Sequence, residues 1–115
     1  MKKTKFIRFN DGVASLYREK EKRSNFAAKE NVRLLDDLIF ICKLDYEQLS
    51  VRQEDIEFAE QNDFSLSLKV RTRYVKSIKS KYKAVIDGVL YDISYIDKTR
   101  TEMYLYLEAV RELDT

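Results

Sequence analysis

From Leu66 to Tyr74 the chain changes character at every second residue: Leu66, Leu68, Val70, Thr72 and Tyr74 alternate with Ser67, Lys69, Arg71 and Arg73. A period of two marks a strand with one face on a core and one in water, and a helix cannot satisfy it. The same period returns downstream. Tyr82 to Ile86 and Val89 to Ile96 flank Asp87-Gly88, a dipeptide suited to the two positive-φ positions of a type I′ hairpin turn. Asp97-Lys98-Thr99-Arg100-Thr101 predicts another turn. Glu102 to Val110 predicts a last strand, with Tyr104 and Tyr106 on one face and Met103, Leu105 and Leu107 on the other. Upstream, Leu38, Phe40, Cys42, Leu44 and Tyr46 alternate with Ile39, Ile41, Lys43 and Asp45, apolar on both faces at first and then one-sided, as in a strand leaving a buried centre. The chain therefore reads as mostly β. About five or six antiparallel strands with short connections predict a meander that hides its edges by closing into a small barrel or sandwich.

One short helix interrupts the strands. Ser50-Val51-Arg52-Gln53 matches a capping box, in which hydroxyl and amide satisfy each other's backbone donors, and Glu54 and Asp55 suit the positive end of the helix. The helix is expected from Val51 to Gln61, with Ile56 and Ala59 buried and Asn62 ending it. Residues 1–33 read less definitely, as an arm or a first strand. Gly12 after Asn10-Asp11 signals a turn, and Val13 to Tyr17 suits a strand or a helix start, the strand being preferred. Arg18 to Arg23 is all charge, read as a solvated edge or loop, and Ser24 to Glu30 as connection. The 115 residues form one expected domain, 1–115.

Composition removes whole classes of chemistry. The chain has no His, Pro or Trp, one Cys, and two glycines far apart at Gly12 and Gly88. Without imidazole the usual triads and zinc sites are excluded, and separated glycines make no phosphate-cradling loop. Cys42 lies in an apolar run and reads as a small hydrophobe. Adjacent carboxylates such as Asp36-Asp37 and Glu54-Asp55 could serve acid–base or magnesium chemistry, but with 20 acids such pairs arise without purpose and read as solvated surface. No apolar run approaches the ~20 residues of a membrane span. The expectation is an intracellular, non-enzymatic protein with no catalytic residue, metal or cofactor. Tyr91, Tyr95, Tyr104 and Tyr106 read as barrel packing, the competing reading being a base-stacking platform.

The run Lys69-Val70-Arg71-Thr72-Arg73-Tyr74-Val75-Lys76-Ser77-Ile78 resembles the R-Y-x-x-x-I element of the bacteriophage head–tail joining (head-closure, or stopper) family. Gly88-Val89-Leu90-Tyr91-Asp92-Ile93 resembles that family's G-x-x-Y-x-I, and Glu54 to Gln61 its short acidic helix, so the likeness covers about Leu38 to Val110. The resemblance implies a small β-barrel assembling as a ring, a dodecamer, below the portal and adaptor proteins. Such a ring closes the channel of packaged double-stranded DNA and docks the tail. It implies a virion location, host cytoplasm during assembly, and neither catalysis nor membrane contact.

The charge is nearly balanced overall, 22 basic against 20 acidic residues, but not locally. Between Asp63 and Asp87 lie Lys69, Arg71, Arg73, Lys76, Lys79, Lys81 and Lys83 with no acid among them. They are either the solvent face of strands or, for Lys76, Lys79 and Lys81, a loop turned to DNA in a channel, neutralising phosphate without reading sequence. The loop from Val75 to Lys81, with a single apolar anchor, is expected to be mobile in an isolated subunit. Glu54, Asp55, Glu57 and Glu60 form an acidic patch that suits a subunit interface in a head-to-tail ring. The other function open at this point is a small cytosolic OB-like barrel that binds nucleic acid.

Overall fold

The structure is a computed structural model and describes residues 9–20 and 38–113. Six strands, β1 (Gly12–Glu19), β2 (Leu38–Leu49), β3 (Leu68–Arg73), β4 (Lys83–Ile86), β5 (Val89–Lys98) and β6 (Glu102–Glu112), and one helix, α1 (Gln53–Gln61), make up its elements. The strands close into a barrel in the order β1-β2-β3-β6-β5-β4, and every pairing is antiparallel. Closure leaves no free sheet edge, which settles barrel over sandwich. The stretches Ser24 to Glu30 and Asp36-Asp37 lie outside the described residues, as does most of the arm. Within it, Val13 to Tyr17 is strand, and β1 runs on through Arg18 and Glu19, which extends it into the block read from sequence as edge or loop.

Alternation decides what fills the barrel. Ala14, Leu16, Val70, Thr72, Ala84, Ile86, Ile93, Met103, Leu105 and Leu107 point inward and are buried, joined by Tyr46. Register shifts at Leu16/Tyr17, Leu90/Tyr91 and Ile93/Tyr95 add the local bend that a small closed barrel needs. The expected meander holds for β1-β2-β3 and again for β4-β5-β6, and it breaks only between β3 and β4. β3 sits between β2 and β6, opposite β4 in the ring, so residues 74–82 cross the mouth of the barrel. Nine residues reach about 30 Å when extended, enough to make that crossing.

Asp87 at φ 50° and Gly88 at φ 76° both take the left-handed conformation, as a type I′ turn requires. A Cβ at Gly88 would meet nothing within 4 Å, so the cost of a substitution there is purely backbone. Gly88→Val is expected to lose about 1–2 kcal/mol. A thermal melt reads this, and an unchanged Tm would show that the turn tolerates a branched residue.

The helix starts two residues later than the sequence predicts. Arg52, not Ser50, is the N-cap, and the Asp55 carboxylate accepts the Arg52 backbone N–H at 3.0 Å. Ile56 is exposed, while Asp55, Phe58 and Ala59 face the barrel wall. Phe58 decides the orientation. It lies 4.8 Å from the ring of Tyr95 and 5.6 Å from that of Tyr106, with Phe64 alongside at 6.3 Å. Tyr104 and Tyr106 pair across from outward residues of β3, so they line the outer wall rather than the barrel interior, which corrects the expected packing. Tyr91 alone of the four packs against the core. Among the described residues, no helix is long and apolar enough to cross a membrane.

Candidate nucleic-acid interface

Antiparallel pairing sorts the connections to two ends of the barrel. At one end lie the close of β3, the crossing segment 74–82 and the β5–β6 turn at 99–101. The crossing segment is anchored there. Ile78 is fully buried among the core side chains, and Val75 and Tyr82 pack against the same cluster. Backbone bonds fix it further: Lys81 N–H donates to the Ile93 carbonyl at 2.9 Å, Ile93 N–H to that of Tyr82 at 2.9 Å, and Tyr74 N–H to that of Thr101 at 3.0 Å. The premise of too few contacts to order the loop therefore fails, because its one isoleucine plugs the barrel mouth.

The structure divides the cationic run in two. Lys69 bonds Asp55 at 3.0 Å, Arg71 bonds Glu47 at 2.5 Å and faces Glu102 at 3.6 Å, and Lys83 pairs with Asp92 and, at 3.5 Å, with Glu19. These three are neutralised by acids brought from other elements. The Arg71 Nε and Glu102 Oε2 atoms are buried without a hydrogen bond, but they face each other as that 3.6 Å pair. Arg73, Lys76, Lys79 and Lys81 make no ion pair among the described residues and are exposed. Lys98 and Arg100, exposed on and beside the β5–β6 turn, join them at the same end. The Lys98 ammonium donates to the Lys76 carbonyl at 3.0 Å and lies 5.5 Å from the Tyr74 ring centre, so its long stem is tethered. Sequence reasoning missed Lys98 and Arg100 because it read 97–101 only as a turn. The signal was present in the strand count, which puts the end of β3 and the end of β5 on the same side.

The acidic residues divide as well. Glu54, Glu57 and Glu60 are exposed on α1, but Asp55 is buried and turned inward to Lys69 and the helix cap. Glu54 and Asp55 therefore do not converge on one site, and among the described residues no group of acids or thiols is arranged to hold a metal. Burial alone would raise the Asp55 pKa. The Arg52 N–H and the Lys69 ammonium outweigh it and hold the carboxyl below its ordinary value. Burial likewise opposes charge on Lys69, but the Asp55 bond and Tyr106 raise its pKa overall. Burial pushes the Cys42 thiol up, away from the thiolate that reactivity needs.

A depressed carboxyl pKa contributes stability that is fully present above the unfolded value of about 3.9 and lost as pH falls through the folded one. Asp55→Asn is therefore expected to cost about 1.5 kcal/mol at neutral pH, at the low end for bonds to charged groups because the pair keeps an edge in water. The variant's urea midpoint should also fall less between pH 5 and pH 2 than that of the parent. Parallel curves would show that the pair is not coupled to folding.

Comparison with known protein families and with curated proteins found no match. The likeness to the head–tail joining family thus rests on the residues quoted from the sequence.

Proposed function

We propose that this chain is a structural protein of the phage head–tail interface, in which copies form a ring below the portal and adaptor and the basic barrel end faces packaged DNA. The observation that carries the reading is the group of exposed cations that make no ion pair among the described residues, Arg73, Lys76, Lys79, Lys81, Lys98 and Arg100, gathered at one barrel end over a packed interior. Charges held this way neutralise a phosphate backbone without reading bases, as a channel lining must. The exposed acids of α1, Glu54, Glu57 and Glu60, lie on the outer wall, a different surface from the basic end. A head-to-tail ring joins two unlike surfaces of this kind. The OB-like alternative suits the structure less well, because an OB barrel is five-stranded and partly open, whereas this one has six strands and is closed.

The test combines assembly and DNA binding. Sedimentation and electron microscopy at near-physiological salt, with and without a portal–adaptor complex, should reveal rings. The variant carrying Lys76→Glu, Lys79→Glu and Lys81→Glu should keep its Tm, since exposed charges contribute little to stability. It should nevertheless lose DNA retention in particles. Full, tailed, infectious particles at parental level from this variant would reject the channel role. A chain that stays monomeric and binds single-stranded DNA at nanomolar concentration would instead support the OB-like reading.

A further inference from the structure

We propose that the depression between residues 78–80 and β5 is a phosphate subsite, taking one phosphodiester of a nucleic-acid backbone between Lys79 and Lys98, with Ser80 and Ser94 as hydroxyl donors. The inference rests on the reading of the basic end as a face toward DNA and assigns the contact point within it. The depression has a volume of about 320 Å³ and is lined by Ile78, Lys79, Ser80, Ser94, Tyr95, Ile96 and Lys98, with no acid among them. A neighbouring depression of about 370 Å³ shares Ser80 and Ser94, but it contains Glu19 and Asp92, which already neutralise its Lys83. An anion is therefore drawn to the first and not the second.

Three features fix the donors in place. Lys98 lies opposite Met103, an inward residue of β6, so it stands on the inner face at the barrel rim, whereas Asp97 lies opposite the outward Tyr104. Asp97, the acid next to Lys98 in sequence, is thus directed to the outer wall, and the Lys98 ammonium is held by the Lys76 carbonyl. Ile78, fully buried, sets the position of Lys79 and Ser80 immediately after it. Lys81 then takes φ 75°, a left-handed conformation that costs a lysine about 1 kcal/mol and that its N–H bond to the Ile93 carbonyl maintains. That reversal turns the chain beside Ser94 and brings the two serines to the same wall.

Nuclear magnetic resonance titration of the full chain with inorganic phosphate, and separately with a short DNA duplex and a single strand, tests the subsite. Both ligand classes should shift the Ser80, Ser94 and Lys98 amides first. Lys98→Gln should weaken phosphate and DNA binding about tenfold and reduce the slope of log affinity against log salt by about 0.9, the value for one lost phosphate contact. Ser94→Ala should weaken phosphate binding several-fold without changing the Tm, a second variant in case Lys98→Gln perturbs the loop. DNA shifts spread evenly over Lys76, Lys79, Lys81 and Arg100, with Ser80 and Ser94 unmoved, would overturn the subsite and leave the DNA-facing reading standing. Phosphate binding in the depression without DNA binding would leave an anion site there but overturn both its assignment to a nucleic-acid backbone and the DNA-facing reading. Absence of both would overturn both.

Discussion

Ile78→Ala is expected to destabilise the fold by about 2–5 kcal/mol, the range for truncating a fully buried isoleucine. Few single changes in a segment outside regular secondary structure would cost as much. Ile78 has no exposed surface and belongs to the core cluster formed by Leu16, Val70, Ile93, Met103 and Leu105. Truncation leaves a void at the barrel mouth that flanking strands, already paired on both sides, cannot close. Urea denaturation measures the loss, with Ser77→Ala as the neighbouring control, expected within about 0.5 kcal/mol of the parent because its side chain is exposed. Hydrogen exchange adds an independent reading: the Lys81 amide, bonded to the Ile93 carbonyl at 2.9 Å, should be protected in the parent and exposed to exchange in Ile78→Ala. Equal stability of the two substitutions would show that the crossing segment does not seal the barrel.

Gly12→Ala should cost about 2–4 kcal/mol, combining backbone strain with overpacking. Gly12 opens β1 at φ 153°, and a Cβ there would stand 2.9 Å from the Tyr46 hydroxyl oxygen and 3.0 Å from its ring carbon Cε1. Tyr46 is buried in the core cluster, so its ring can move aside only against the side chains packed around it. Tyr46→Phe removes the closer of those two atoms but not the ring. In the Gly12→Ala background it should therefore recover part of the loss, a non-additivity of the kind expected for touching side chains. Complete additivity of the two changes would place Gly12 and Tyr46 out of contact and refute the steric account.

The strands were legible because a period of two is a local property. Met103, Leu105 and Leu107 alternate with Tyr104 and Tyr106 whatever the rest of the chain does, and Asp87-Gly88 carries its own turn preference. The helix was legible in place but not in orientation. Ile56 and Phe58 are both apolar within one turn, and only the aromatic shelf of Tyr95 and Tyr106 on the barrel wall selects Phe58. Asp55 was read as a surface acid because its partner, Lys69, is 14 residues away on β3. The cationic loop was legible as Lys76, Lys79 and Lys81, but Lys98 and Arg100 were not, since they reach that end through pairing between strands.

The amino-acid sequence by itself determined the β class, the position of α1, the hairpin turn and the presence of a cation-rich segment. All of these depend on residues within a few positions of one another, where backbone preference and alternation act directly. Tertiary structure decided which charges remain without partners, which face of α1 is buried, and that residues 74–82 cross the barrel mouth rather than turn back on β3. Those outcomes depend on which strands become neighbours. In a closed ring of six, that choice is made by the fit of inward side chains from all strands at once, and no local stretch contains it.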